Sequence, residues 1–415
     1  MTNKLSKKSV IALIIGNALE WYDFVVYSFM TIFIAKLFFP SGNMTNSILA
    51  ATATFGVAFF MRPLGGIVFG IYADRKGRKA SIMAVIAIMT LSLLILSCAP
   101  TYQQIGVTAP ILILISRLLQ GFSAGGEFGP SMAMLIELAP KHRHGLYGSW
   151  QMAGQMFAML LGSTLGMLIT RHMSVEAIQE WGWRIPFIAG LVIAPVGIYI
   201  RSTLQETVMP ENEFVRMREF LRKVHHQWRQ IIIAMGLVVA GTVTNYINIS
   251  YFPTYVVTYL SLSMNDAFTT LSICVTLMII LIPVFALLSD RIGRKPVLLT
   301  SIFMYLICVY PFFSWVMTNP SLIKLLIVQL IFSVILAAYF GVYAVIVAEI
   351  FPREMRSTGM GISYNLTVML FGGFAQFIVT WLISITGTPM AITYYLLFAT
   401  AISLLAASCY QENKR

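Results

Sequence analysis

Apolar residues fill the chain in twelve long blocks, about 9–37, 48–72, 80–99, 109–138, 146–170, 184–203, 230–260, 267–288, 296–318, 322–349, 358–385 and 389–410, parted by short polar connections. A helix needs about 20 apolar residues to cross the ~30 Å of a bilayer's hydrocarbon. The pattern therefore predicts an all-α polytopic membrane protein of twelve transmembrane helices. Several blocks are longer than the bilayer requires, so tilted spans or helical extensions into water are expected.

The longest internal connection, about 204–229, carries both signs of charge in QETVMPENEFVRMREFLRKVHHQWRQ. It is too polar to cross and reads as a helix lying on the membrane surface. It divides the chain into a first bundle of six spans (1–203), a linker (204–229) and a second bundle of six spans (230–415). The halves echo each other. GIYADRKGRK (70–79) returns as ALLSDRIGRK (286–295), and ELAPKHRHG (137–145) returns more loosely as EIFPREMRSTG (349–359). Two motifs repeated at nearly equal offset indicate an internally duplicated unit, whose copies face each other across a cavity and rock to alternate access.

Composition agrees: 58% of the 415 residues are hydrophobic and 11% charged, against roughly 25% charged in a soluble domain. The net charge of +12 would suggest nucleic acid in a soluble protein. Here it follows topology. With both termini cytoplasmic, 22 of the 28 Lys and Arg fall on the cytoplasmic side, as positive-inside insertion requires. No nucleic-acid partner is expected. Cys98, Cys274, Cys308 and Cys409 lie in apolar blocks without paired spacing and read as packing residues. The first block is too long for a cleaved signal. No metal site or cofactor is expected.

D-R-x-G-R-K between the second and third spans, repeated between the eighth and ninth, resembles the major facilitator superfamily, as does RLLQG (117–121) in the fourth span. GNALEWYDF (16–24), RPLGG (62–66), QGFSAGGE (120–127) and EWGWRIPF (180–187) are similar to its metabolite:proton symporter family in bacteria. That resemblance implies the major facilitator fold, with two six-helix bundles related by a pseudo-twofold axis. It also implies a multi-pass protein of the bacterial inner membrane whose partners are a small-molecule solute, protons and lipid. The chain is expected to work as a monomer. Members of the family carry organic acids such as citrate and α-ketoglutarate, or zwitterions such as proline and betaine.

Five charges lie deep in the first six spans: Glu20, Asp23, Arg62, Arg117 and Glu127. A charge facing lipid there costs a few kcal/mol or more, so pairing inside the bundle is the default. A mid-depth carboxylate beside an arginine releases its proton when the pair forms and takes it back when the pair breaks. In related carriers a first-span aspartate and the arginine of the fourth-span motif make this pair. The resemblance thus assigns proton coupling to Asp23, with Glu20 as its companion and Arg117 as partner. Static pairing of spans one, two and four is the alternative for these residues.

The repeated loop motifs read as a gate. Asp74, Arg75 and Arg78, with Glu137, and in the second half Asp290, Arg291 and Arg294, with Glu349, bring acid and base to the same ends of neighbouring spans. The plainer alternative is a solvated turn that only sets topology.

The second half offers amides and hydroxyls in place of charge. TVTNYINISYFPTYVV in the seventh span presents Asn245, Tyr246, Asn248, Tyr251 and Tyr255, while Tyr343 lies on the tenth, Tyr364 and Asn365 on the eleventh, and Gln151 and Gln155 one turn apart on the fifth. Together with Arg117, Arg62 and Tyr27, the residues Gln151, Gln155, Asn245, Asn248, Tyr251, Tyr343 and Asn365 form the expected substrate set. Pro253 marks a kink near the gate. Gly121, Gly125 and Gly126 read as close helix packing.

The chain is therefore expected to be a secondary active transporter that imports a small organic acid together with protons. Alternatives are a proton symporter of a zwitterion, a proton-coupled exporter, and a sensor of transporter shape. H-E-x-x-H does not occur in the sequence, and the single G-x-S-x-G match, GFSAG (121–125), falls inside an apolar block rather than at a strand-to-helix turn; an enzymatic role is not expected.

Overall fold

The computed structural model describes residues 7–76, 78–125, 143–191, 226–352 and 355–412, with 132, 135–136 and 139–140 between them. Span α1 (Lys7–Phe29) resumes after a 64° bend as Thr31–Phe38. Span α2 runs in three pieces, Met44–Val57, a 3-10 turn at Ala58–Phe60, and Met61–Lys76. Then come α3 (Arg78–Cys98), α4 (Thr108–Ala124), α5 (His144–His172) and α6, helical over 185–191.

The second half begins with α7 (Trp228–Asn245), which passes through a π turn at Tyr246–Ser250 into Phe252–Tyr259. Spans α8 (Met264–Ile292), α9 (Arg294–Thr318) and α10 (Leu322–Ile350) follow. Span α11 (Arg356–Thr367) has its own π turn at Val368–Gly372 before Ala375–Thr386, and α12 (Ala391–Cys409) ends the fold. Pro253 lies in the first turn of the last piece of α7, three residues past the π turn, where its missing N–H costs the ladder nothing more than a first-turn donor.

The expected linker lies outside the described residues up to residue 225. The two bundles meet along α5 and α8, and again where the first piece of α2 packs on the last piece of α11. Span α10 is apolar on every face, as suits a helix enclosed by neighbours. Its central window is 78% buried, against 39% for α9, so α10 lines the interior and α9 the lipid boundary.

Spans α2 and α4 touch backbone to backbone. A Cβ placed on Gly121 would land on the Ala58 carbonyl, and one on Gly125 on the Arg62 carbonyl. Only glycine permits that approach, as small residues do between membrane helices. The expected packing role of Gly121 and Gly125 holds; Gly126 lies outside the described residues. This contact is what brings Arg62 and Arg117 into one neighbourhood.

Candidate functional site

Arg62 from α2 and Arg117 from α4 both lie against Phe24 of α1, their guanidinium carbons 4.6 and 5.0 Å from its ring centroid. Arg117 also covers Tyr27 at 4.4 Å and Phe55 at 5.0 Å, and Arg62 covers Phe59 at 4.8 Å. Aromatic faces hold a cation without neutralising it. Both arginines are buried. Arg117 Nη1 donates to Gln120 Oε1, while the Nε and Nη2 of both arginines have no hydrogen-bond partner among the described residues.

The acids divide between two directions. Asp23 is buried within electrostatic range of Arg117. Among the described residues, however, no ion pair or hydrogen bond joins the two side chains. The Asp23 carboxylate instead sits against α6, where Oδ1 is 2.9 Å from the position a Cβ on Gly190 would take. The expected direct Asp23–Arg117 pair is therefore absent here. Successive helical residues point about 100° apart, and Arg117 follows the Phe24–Tyr27 stripe. Glu20 looks to the other half: the hydroxyls of Tyr246 and Tyr364 both lie in range of its charge and of Arg62.

Beside Arg62, which lies 5.9 Å from the Trp21 ring, the halves line a small cavity of about 10 Å³, with Trp21 and Gln155 from the first half and Asn245, Tyr246, Tyr343 and Tyr364 from the second. Pockets that take small molecules run to ~300–1,000 Å³, so a space of about 10 Å³, roughly one water, is closed down on its walls. Its walls are buried aromatics carrying polar tips: Trp21 packs against Tyr246 at 6.1 Å, and Tyr343 stacks with Tyr339 at 5.3 Å. Gln155 Nε2, Tyr246 OH and Asn245 Oδ1 are buried without a partner among the described residues.

Of the expected substrate set, Gln155, Asn245 and Tyr343 line this cavity. Gln151, one turn from Gln155, is buried with its Nε2 unpartnered. The others do not line it. Tyr27 donates to the Ala51 carbonyl at 3.1 Å and serves as a platform for Arg117. Asn248 turns outward to the Tyr305 hydroxyl at 2.6 Å, and Tyr251 bonds Thr380 at 2.6 Å. Asn365 reaches across the bundles to the Gly125 carbonyl at 3.0 Å. Tyr246 and Tyr364 stand in the polar runs that the sequence offers. Trp21 is signalled only by its place beside Glu20.

At the face predicted to be cytoplasmic, the second copy of the loop motif forms a charged contact between the halves. Asp290 of α8 accepts the backbone N–H of Gly145 at 3.0 Å and of Leu146 at 3.2 Å, at the start of α5. Arg294 bonds Asp290 at 3.5 Å and pairs with Glu349. His144, which the sequence pattern does not single out, adds a 3.4 Å contact to Glu349. Arg291 is exposed and stands outside this cluster. Glu127 and Glu137 lie outside the described residues, as do the side chains of Asp74, Arg75 and Arg78.

Behind Arg294, Glu412 accepts the N–H groups of Arg294 at 2.8 Å and Lys295 at 3.2 Å, a carboxylate on the first turn of α9. Negative charge is favoured at that helix end.

The profile of the Major Facilitator Superfamily matches residues 13–367 and 233–413. A citrate-proton symporter of Klebsiella pneumoniae is 36% identical over 402 residues, covering 95% of this chain and 89% of the relative. The α-ketoglutarate permease of Escherichia coli K12 is 33% identical, covering 96% of this chain and 92% of its own. The proline/betaine transporter of the same strain is 32% identical, covering 98% and 84%. In three dimensions the chain resembles the crystal structure of a D-xylose-proton symporter, with a TM-score of 0.76, 18% identity, and 97% and 96% of the two chains covered. That likeness bears on the fold, and the sequence relatives on the family. The chain is a multi-pass membrane transporter of the major facilitator superfamily and belongs among its metabolite:proton symporters.

Proposed function

We propose that this chain imports a small organic acid, of the citrate or α-ketoglutarate kind, together with protons across a bacterial inner membrane, with both termini cytoplasmic. The observation that carries the reading is the excess of donors left over at mid-depth. Arg62 and Arg117 keep Nε and Nη2, Gln151 and Gln155 keep Nε2, and Tyr246 keeps its hydroxyl. A buried donor without an acceptor costs about 1–3 kcal/mol, so such a set is matched to a solute rich in acceptor oxygens. The relatives named for citrate and α-ketoglutarate support the same class.

In this reading Asp23 and Glu20 exchange the proton. A carboxylate that takes up H⁺ loses the charge whose movement through the low-dielectric interior is costly. Arg117, positively charged throughout, supplies the field that draws the proton off again.

A second reading is favoured by the aromatic walls. Trp21, Tyr246, Tyr343 and Tyr364 present ring faces suited to an ammonium group, which a zwitterion would bring, and a relative named for proline and betaine is among the similar chains. Proteoliposomes under an imposed inward proton gradient separate the two. Accumulation of labelled citrate or α-ketoglutarate, abolished by a protonophore, supports the first reading. Accumulation of proline or betaine alone overturns it.

A further inference from the structure

We propose that Ser28, Gln376 and the backbone carbonyl of Ser250 form the latch that closes this carrier on the side away from Asp290. Gln376 Nε2 of α11 donates to Ser28 Oγ of α1 at 2.6 Å, and that hydroxyl donates onward to the Ser250 carbonyl of α7 at 2.9 Å. The relay joins three spans and crosses from one bundle to the other. All three residues are buried.

Depth gives the relay its role. Ser28, Ser250 and Gln376 each lie some twenty residues from the predicted cytoplasmic start of their spans, roughly 30 Å along a helix. The cavity residues Trp21, Asn245 and Tyr364 lie nearer that start on the same three spans. The relay therefore stands between the cavity and the outer face. The helix geometry is prepared for it: Ser250 ends the π turn of α7, Pro253 offers no N–H back into that turn, and the Ser250 carbonyl takes its donor from α1.

Neighbouring contacts close the same level. Phe29 meets Phe268 edge-on at 5.4 Å, Ser272 donates to Ser163 at 2.9 Å, and Phe60 packs on Phe374 at 5.3 Å, each pair spanning the two halves. The outer closure is thus made of neutral groups, whereas the closure at Asp290, Arg294 and Glu349 is charged. This assignment concerns the transport cycle and does not depend on which solute is carried.

The test is sided access to the cavity in the full chain. Cys98, Cys274, Cys308 and Cys409 are replaced by alanine, Thr242→Cys is placed in the cavity wall, and a membrane-impermeant maleimide is added to right-side-out or inside-out vesicles without solute. Ser28→Ala and Gln376→Leu are each expected to raise labelling from the outer face about ten-fold, equivalent to ~1.4 kcal/mol in the outward-to-inward ratio. Labelling from the inner face falls, and Ser28→Thr, which keeps the hydroxyl, restores the parent pattern. Outer labelling at the parent rate in both variants, or an equal rise from both faces as loosened packing would give, overturns the latch.

Discussion

Asp290 holds the first turn of α5 from the opposite bundle, its two carboxylate oxygens taking the N–H groups of Gly145 at 3.0 Å and Leu146 at 3.2 Å. A carboxylate at a helix N-terminus contributes about 0.5–2 kcal/mol through its hydrogen bonds and the helix dipole. Rocking the bundles apart on this side must break it. Asp290→Asn removes the charge while keeping one acceptor, so the inward-facing population is expected to rise several-fold. Faster labelling of a cavity cysteine from the cytoplasmic face checks this, and an unchanged rate in Asp290→Ala as well would remove the contact from the gate.

The acidic half of that contact is legible in the sequence because D-R-x-G-R-K occurs twice. Its partner is not, because a backbone N–H at the start of a helix leaves no residue signature. The same asymmetry runs through the site. Twelve spans follow from apolar length alone, and the buried arginines from their isolation in apolar blocks. Whether Asp23 meets Arg117 depends instead on which face of α1 each approaches, and a few tens of degrees of rotation decide it. Trp21 looks like one more membrane aromatic until α7 and α11 are seen opposite it. Asn248 and Tyr251 look like cavity groups until their partners Tyr305 and Thr380 show them turned into the second bundle.

Phe24 separates two like charges and touches both. Each cation–π contact there is worth about 0.5–2 kcal/mol, so Phe24→Leu weakens the seating of Arg62 and Arg117 together. We expect solute affinity to fall by about ten-fold, together with a loss of thermal stability from the two weakened contacts. Arg117→Lys should cost more, since lysine offers no planar fork to a carboxylate. Binding isotherms on purified protein measure both. Equal affinity in both variants would take the two guanidinium groups out of the solute site.

Asp23 and Glu20 make distinguishable predictions because they face different neighbours. Asp23→Asn is expected to abolish accumulation driven by a proton gradient while sparing part of the solute exchange that needs no net proton movement. Glu20→Gln, closer to Tyr246 and Tyr364, is expected to alter apparent solute affinity as well as coupling. Concentrative uptake at the parent level in Asp23→Asn would show that the proton travels elsewhere.

The glycine seam between α2 and α4 ties stability to the site. A methyl group at position 121 would meet the Ala58 carbonyl and push the two spans apart, an overpacking that costs about 1–3 kcal/mol. The same displacement moves Arg62 relative to Arg117 and so changes the spacing of the unpaired donors beside Phe24. Gly121→Ala should therefore lower the unfolding midpoint in detergent and also weaken solute binding in the fraction that stays folded. Gly361→Ala is the matched control, since a Cβ there meets nothing within 4 Å; as a helix-interior replacement it should leave binding unchanged and the midpoint at or above the parent value. Parent-like binding in folded Gly121→Ala would mean that the arginine spacing is not what the seam protects.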